Sequence, residues 1–177
     1  MSTPLRELQY PIGEFSAPEE ITPAQVDAWI TDIEVLPRDL RAAVTPLSDA
    51  QLDTPYRPDG WTVRQVVHHV PDSHINSYVR FRWALTESRP EIKTYWEDRW
   101  ALLPDYAEPV ELSLNLLDAV HARWVPLLRA LRPEDLQREF VHPDSGPVRL
   151  AENIGIYAWH GRHHLAHIET LATREGW

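Results

Sequence analysis

Four long segments of this chain repeat apolar residues at intervals of three and four, the spacing of helices that bury one face. No convincing run elsewhere alternates with the two-residue period of a strand. Amphipathic helices without a sheet to cover must bury their apolar faces against one another, so the pattern predicts an all-α fold, a four-helix bundle. The segments cover residues 22–47, 62–87, 110–131 and 150–174.

Local signals mark where the predicted helices begin and bend. Thr22-Pro23 offers an N-cap followed by proline at the first helical position, where its missing N–H costs nothing. Ser48 and Thr62 each precede a glutamine by three residues, which is the spacing of a capping box and predicts two further helix starts. Proline removes a backbone hydrogen bond, so prolines within three segments predict bends. They are Pro37, Pro71 and Pro126.

The segments outside the four helices are rich in proline. Residues 1–21 have no sustained periodicity, and we expect an extended arm lying over the fold. Residues 132–136 predict a short helical turn, and 140–150 a loop or small hairpin. The long connection over 89–109 is rich in aromatic residues, which suits either a pocket wall or lid, or a segment packed on the bundle.

Length, charge and hydropathy limit the class of protein. A chain of 177 residues with 43% hydrophobic content suits one domain over 1–177, with the bundle over 22–177. The formal charge of -10 argues against nucleic acid or an anionic membrane surface as the partner, because both require a basic surface. No run has the length of a membrane span, and the first residues lack the pattern of a signal peptide, so we expect a cytoplasmic protein.

Four of the nine histidines fall within eight consecutive positions of the last helical segment, and the chain has no cysteine. A metal site would therefore use histidine, carboxylates and water. His160 and His164 are one helical turn apart and could bind one ion from the same face, as could His163 and His167. The pattern favours His160 and His164, because His164 lies in the apolar stripe. The alternative is a surface or hydrogen-bonded histidine cluster.

Two histidines leave the question of a third ligand. On the second helical segment, the periodicity places His74 near the centre of the apolar stripe, whereas His69 lies about 120° away and His68 faces further outward. The pattern alone therefore favours His74. His121 and His142 are isolated, and isolated histidines are usually structural or solvated.

Four stretches of the chain carry a resemblance to a known family. They are residues 10–13 (YPIG), 52–57 (LDTPYR), 60–70 (GWTVRQVVHHV) and 159–168 (WHGRHHLAHI). In matching order over nearly the whole chain, they resemble the YfiT group of the DinB-like superfamily. The resemblance implies a four-helix bundle, commonly a homodimer, that holds one divalent ion, Ni²⁺ or Zn²⁺, on three histidines.

The resemblance also implies which histidines bind the ion. One ligand follows the tryptophan that opens the second helix by eight residues, which makes it His69, and the other two match His160 and His164. Pro71 departs from the family, where alanine is usual, and a kink there would change the direction of His69. His74 remains the alternative ligand. His163 and His167 are expected to support the ligands or line a pocket.

Three imidazoles leave a tetrahedral ion one open position, as in catalytic sites. The resemblance implies a hydrolase that uses a metal-activated nucleophile on a small-molecule substrate. The alternatives are a transferase of a low-molecular-weight thiol of the bacillithiol type, with the thiol as co-substrate, and a metal-binding protein without catalysis. No general base stands out among the nearby polar residues Asp72, Asn76, Glu152 and Glu169. An anionic thiol or carboxylate could be held by Arg64, Arg80, Arg82 or Arg162.

Overall fold

The computed structural model describes residues 4–177, and helices dominate it. The four long helices expected from the periodicity are present, and a two-stranded hairpin and several short helical turns connect them. The fold class is therefore confirmed. In chain order the elements are α1 (Leu5–Gln9), α2 (Pro23–Val44), α3 (Asp49–Leu52), α4 (Val63–Thr86), α5 (Glu97–Trp100), a 3-10 turn (Pro104–Ala107), α6 (Val110–Arg129), α7 (Pro133–Leu136), β1 (Glu139–His142), β2 (Gly146–Arg149) and α8 (Leu150–Glu175).

The capping signals act as the sequence predicts. Thr62 Oγ1 accepts a hydrogen bond from Gln65 N, and the Gln65 side chain accepts one from Thr62 N, so two otherwise unpaired N–H groups are satisfied. Thr22 and Ser48 form the same reciprocal pair at the starts of α2 and α3. Helix α2 ends at Val44, earlier than the periodicity suggested, since Pro46 has no N–H to continue it.

The prolines inside three long helices do not end them. Pro37, Pro71 and Pro126 lie within α2, α4 and α6, each of which continues past its proline. Pro71 is fully inside α4, two residues after His69, and both residues are buried. The direction of His69 is therefore decided within a continuous helix.

The four long helices form a closed ring in which α2 packs on α6 and α8, and α4 packs on the same two helices. Their apolar side chains form two clusters, one at each end of the bundle. Along every long helix, the sequence passes from one cluster to the other. On α6, for example, Leu117 belongs to one cluster and Trp124 to the other, with the buried His121 between them.

Histidines occupy this changeover on three of the four helices, and all of them are buried except His160, which is half-buried. His74 lies between Val70 and Phe81 of α4, which belong to different clusters, and His160 and His164 lie in the corresponding interval of α8. A layer of imidazoles therefore crosses the middle of the bundle. Buried polar groups are tolerated only where they find partners, so this layer of histidines is a candidate functional site.

The N-terminal segment differs from the expected extended arm. Residues Leu5–Gln9 form α1, because the Pro4 carbonyl accepts hydrogen bonds from the N–H groups of the first turn. The rest of the segment crosses α8, where Gly13 O accepts a hydrogen bond from Trp159 Nε1. The part of the predicted arm at residues 1–3 lies outside the described residues.

The remaining connections are held against the bundle. The Tyr106 hydroxyl donates to Asp72 Oδ2 at 2.7 Å, and Gln65 Nε2 donates to Ala101 O, so the long connection between α4 and α6 is attached to α4. The predicted small hairpin is present, with Phe140 paired to Val148. No helix within residues 4–177 combines the length and apolar character needed to cross a membrane.

Candidate metal centre

Three histidines from two neighbouring helices meet at the middle of the bundle. His69 of α4 and His160 and His164 of α8 each present one ring nitrogen, and the three nitrogens lie within 4.8 Å of one another. His69 Nε2 and His160 Nε2 are 3.2 Å apart. Bonds of 2.0–2.1 Å to a tetrahedral zinc ion put two nitrogens about 3.3 Å apart, so this spacing fits an ion between them.

Close helix packing and an aromatic ring hold these three side chains. The Trp61 ring, just before α4, lies 4.7 Å from the His69 ring and is stacked at 6.4 Å from His164. On the opposite side, Gly161 lets α8 approach α2 so closely that an added Cβ would lie 2.4 Å from Leu36 Cδ2. The positions of His160 and His164 on α8 are therefore set by packing against both α2 and α4.

Burial keeps the three imidazoles neutral. It lowers the pKa of His69 to about 4 and holds the pKa values of His160 and His164 well below 6.5, with the neighbouring imidazoles adding to the effect at His160 and His164. A neutral imidazole has a lone pair for a metal ion, and a protonated one has none. The cluster is therefore ready to bind a divalent cation at neutral pH.

His74, the ligand that periodicity favoured, lies behind this cluster. Its Nε2 is 3.3 Å from His160 Nδ1, the nitrogen on the far side of the ring from His69. His74 Nδ1 is in turn 2.8 Å from His121 Nε2. The structure thus brings His69 together with His160 and His164, and it brings His74 together with His121. The sequence pattern indicated that His121 is isolated. Its position between Leu117 and Trp124, on the apolar face of α6, was nevertheless a signal of burial.

His68 is buried, contrary to the expectation that it faces outward. Its Nδ1 contacts Ser113 Oγ at 2.7 Å, and its Nε2 contacts Glu108 O at 3.0 Å. The connection that precedes α6 covers this face of α4, which a helical-wheel angle cannot foresee.

The other two histidines of the sequence cluster form a second group with His164. One ring nitrogen each of His163, His164 and His167 also lie within 4.8 Å of one another. His167 Nε2 donates to Gln9 O at 3.0 Å, and His163 is stacked on Trp159 at 4.4 Å. Burial lowers the pKa values of His163 and His167 to about 4. They adjoin the first group and are covered by the N-terminal segment.

An open pocket of about 390 Å³ reaches three of the clustered α8 histidines and His69. Two larger pockets, of about 830 and 540 Å³, contain no histidine, and a third of about 420 Å³ contains only His142. No sequence pattern predicted Ser73 or Glu97 as site residues. Tyr95 was predicted only to belong to the aromatic-rich connection over residues 89–109. The residues that line the pocket are Tyr10, Trp61, His69, Ser73, Tyr95, Glu97, Trp159, His160, His163 and His164.

The acidic and amide residues considered from the sequence do not line this pocket. The carboxylate of Asp72 accepts the Tyr106 hydroxyl, and burial raises the pKa of Asp72. Asn76 donates to Asp72 O within α4. Glu152 and Glu169 are likewise absent from the pocket wall.

The four arginines considered as anion-binding residues also lie away from the pocket wall. Arg64 pairs with two aspartates beside α3, and Arg162 pairs with Asp32. Arg82 donates to the Tyr78 hydroxyl, and Arg80 to Lys93 O. Each has a partner outside the pocket.

This chain is similar to known proteins over nearly its whole length. A relative from Bacillus cereus is 56% identical over 173 residues, which cover 98% of this chain and 100% of the relative. A relative from Bacillus mycoides has the same identity and coverage. The names of both assign them to the metal-dependent hydrolases.

Solved structures give the same result. YfiT from Bacillus subtilis, described as a probable metal-dependent hydrolase with an unusual four-helix bundle topology, superposes with a TM-score of 0.94 at 48% identity, covering 97% of this chain and 99% of its own. A mycothiol-dependent maleylpyruvate isomerase has a TM-score of 0.66 at 15% identity, covering 81% of this chain and 60% of its own, which supports the fold alone.

The resemblance found in the sequence is thereby confirmed. The family model of the DinB superfamily matches residues 32–168, a range that contains the three clustered histidines and all four long helices in whole or in part. This chain belongs to the DinB superfamily.

Proposed function

We propose that this chain is a metal-dependent hydrolase of small molecules, with one Zn²⁺ or Ni²⁺ held by His69, His160 and His164. The observation that carries the proposal is the convergence of three neutral imidazoles at the wall of an open pocket. Three protein ligands leave a tetrahedral ion one position for water or substrate, which is the arrangement of catalytic zinc sites. The names of the similar Bacillus proteins support the same activity.

A divalent ion at this place would supply Lewis acidity and lower the pKa of a bound water. The chain's own residues would supply a proton acceptor and a pocket for the substrate. Glu97, at the start of α5, is the carboxylate along this pocket, and we assign it the role of accepting a proton from the nucleophile. Trp61, Tyr95 and Trp159 supply apolar walls that suit a small organic substrate.

The lining of the pocket favours hydrolysis over transfer of an anionic thiol. Among the described residues that form the wall, no arginine or lysine is present, and Glu97 contributes negative charge. A thiol of the bacillithiol type carries carboxylates, for which such a wall has no basic partner. Of the four arginines considered for this role, Arg64 and Arg162 are already paired with aspartates.

The test uses the metal-loaded protein with an activated ester, 4-nitrophenyl acetate, and with monochlorobimane, each with and without bacillithiol. Hydrolysis predicts ester cleavage that needs the metal and no thiol. Bimane conjugation that requires bacillithiol would instead establish a transferase. Tight metal binding without turnover of either substrate would favour a non-catalytic metal-binding bundle.

Glu97→Gln sharpens this test. Loss of the carboxylate should lower kcat by about 10²- to 10⁴-fold, the usual contribution of a general base, with metal content unchanged. Glu152→Gln is the matched control, because Glu152 is a half-buried carboxylate of α8 that does not line the pocket. Equal activities of the two variants would remove Glu97 from the mechanism.

A further inference from the structure

We propose that His74 and His121 are positioning residues that, together with the main-chain carbonyl of Ile33, decide which nitrogen of His160 is free to bind metal. This inference rests on the proposed metal site and adds two residues that do not themselves touch the ion. It follows from a continuous line of four groups, one from each long helix, that ends at the proposed ligand.

The line begins at the Ile33 carbonyl, which can act only as a hydrogen-bond acceptor. Ile33 O of α2 lies 2.7 Å from His121 Nδ1 of α6, and a carbonyl oxygen can only accept, so His121 carries its proton on Nδ1. A neutral imidazole has one N–H and one lone pair, which leaves the lone pair of His121 on Nε2. That nitrogen faces His74 Nδ1 at 2.8 Å.

The tautomer of His121 also determines the tautomers of the next two rings. His74 Nδ1 must donate to His121, so the lone pair of His74 is on Nε2, which faces His160 Nδ1 at 3.3 Å. His160 must then donate from Nδ1, and its lone pair is on Nε2. This is the nitrogen that lies 3.2 Å from His69 Nε2 at the proposed metal position. The Ile33 carbonyl, three contacts away, thus fixes the tautomer of the ligand.

The rings are confined in these orientations. The side chain of His74 is fully buried and that of His121 nearly so. Trp124 meets both rings edge-on, at 5.8 Å from His74 and 6.0 Å from His121, and Tyr157 meets His74 in the same way at 5.1 Å. A ring flip would place C–H groups against buried lone pairs and leave an N–H without a partner, which buried sites disfavour.

This line of hydrogen bonds should affect how strongly His160 binds a metal ion. A ligating histidine that donates its other N–H is held in orientation and becomes a stronger base, and loss of such a partner usually costs 10- to 100-fold in metal affinity. The alternative interpretation is that the hydrogen bond between His74 and His121 only stabilises the core and has no effect on the metal site. The two interpretations differ in what they predict for the tautomer of His160 and for metal affinity.

The first measurement is imidazole ¹⁵N NMR on the metal-free full chain, which reports tautomers without any need for turnover. We expect the Nδ1–H tautomer for His74, His121 and His160. Finding His160 with its proton on Nε2 would overturn the proposal. Because this measurement is independent of activity, the assignment can stand if hydrolysis fails, and it can fail while hydrolysis stands.

The second measurement is the Kd for Zn²⁺, by competition with a chelator, in two variants of His121. His121→Phe keeps a ring against Trp124 but removes both nitrogens, and we expect affinity to fall 10- to 100-fold with His160 no longer held as Nδ1–H. His121→Gln can donate from its amide to Ile33 O and accept from His74, so it should restore affinity to within about threefold.

A control variant shows whether replacing any histidine changes the affinity for Zn²⁺. His142→Gln, in the hairpin, should leave affinity and tautomers unchanged. Wild-type zinc affinity in a folded His121→Phe variant would overturn the proposal, as would equal losses in the Phe and Gln variants. If His121→Phe does not fold by circular dichroism, the tautomers of the unmodified chain and the affinity of His121→Gln decide the matter.

Discussion

Nε2 of His69 lies 3.2 Å from Nε2 of His160, although the two residues are 91 positions apart in the chain. Both nitrogens belong to rings that burial keeps neutral at physiological pH. Two lone pairs at this distance repel one another unless one ring turns its N–H toward the other or a cation lies between them. If a metal ion lies between these two nitrogens, its binding should stabilise the folded chain.

Metal content provides the simplest check of the ligand set. His69→Ala, His160→Ala and His164→Ala should each lower the metal-to-protein ratio of the purified chain by about tenfold or more, because two imidazoles bind a divalent ion weakly. Atomic emission measures the ratio, and His142→Ala serves as the control. Full metal content in His69→Ala, combined with its loss in His74→Ala, would assign the third ligand to His74 instead.

The ion should stabilise the folded chain. A ligand that binds only the folded state at 100 times its Kd adds about 2.7 kcal/mol to the free energy of unfolding. For a domain of this size, that corresponds to a rise in Tm of roughly 5–10 °C. Thermal unfolding followed by circular dichroism, in a chelator and in excess Zn²⁺, measures the difference. Identical Tm values in the two solutions would argue against a metal site in the folded protein.

The metal-free chain should lose stability as the solution becomes acidic. Burial lowers the pKa values of His69 and His121 to about 4 in the folded chain, against 6.5 for an ordinary histidine, so the unfolded chain binds more protons between these values. The free energy of unfolding should therefore fall as pH drops from about 6.5 to about 4, by up to about 1.4 kcal/mol per pH unit for each such histidine.

Urea unfolding in the presence of a chelator, at several pH values in this window, measures that slope. His121→Gln removes one of the titrating rings and should make the slope shallower. A free energy of unfolding that stays constant across the window would contradict the prediction.

The close approach of α8 to α2 depends on Gly161. An alanine Cβ there would lie 2.4 Å from Leu36 Cδ2, well inside van der Waals contact. Leu36 is buried and has little room to move. Overpacking of this kind costs about 1–3 kcal/mol, which over most of that range exceeds the gain of about 1 kcal/mol from replacing a helical glycine by alanine. Gly161→Ala should therefore destabilise the chain and weaken metal binding by shifting His160.

A double-mutant cycle tests the cause. Leu36→Val removes the terminal carbon that would clash, so the double variant Gly161→Ala/Leu36→Val should be more stable than the two single changes predict, by about 0.5–3 kcal/mol. Strict additivity of the two effects would place the clash elsewhere.

The local features of the fold were predictable because their causes are local. Apolar spacing and reciprocal caps such as Thr62 with Gln65 depend on residues within one or two turns, and they marked the long helices. The short helix α1 was missed, since five residues bounded by prolines carry too little periodicity to recognise. The burial of His68 was missed because a distant connection covers it.

The choice between His69 and His74 shows a limit of helical periodicity. The stripe identifies the centre of the buried face of α4, and His74 is indeed the more deeply buried residue, in contact with His121 and Trp124. A site that must also admit substrate lies at the edge of that face. His69 occupies this edge, borders the pocket and lies beside His160 and His164. Its assignment as the third ligand in place of His74 stays a prediction.

By itself, the sequence determined four amphipathic helices, their caps, a cysteine-free set of possible ligands and the pairing of His160 with His164 on one face of one helix. Only the tertiary structure decided that His69 joins them, that Glu97 lines their pocket, and that Ile33, His121 and His74 form a line to His160. The physical reason is range. Helical geometry relates residues three or four apart, whereas a metal site and a hydrogen-bonded line join side chains from separate helices, and their positions depend on how whole faces pack.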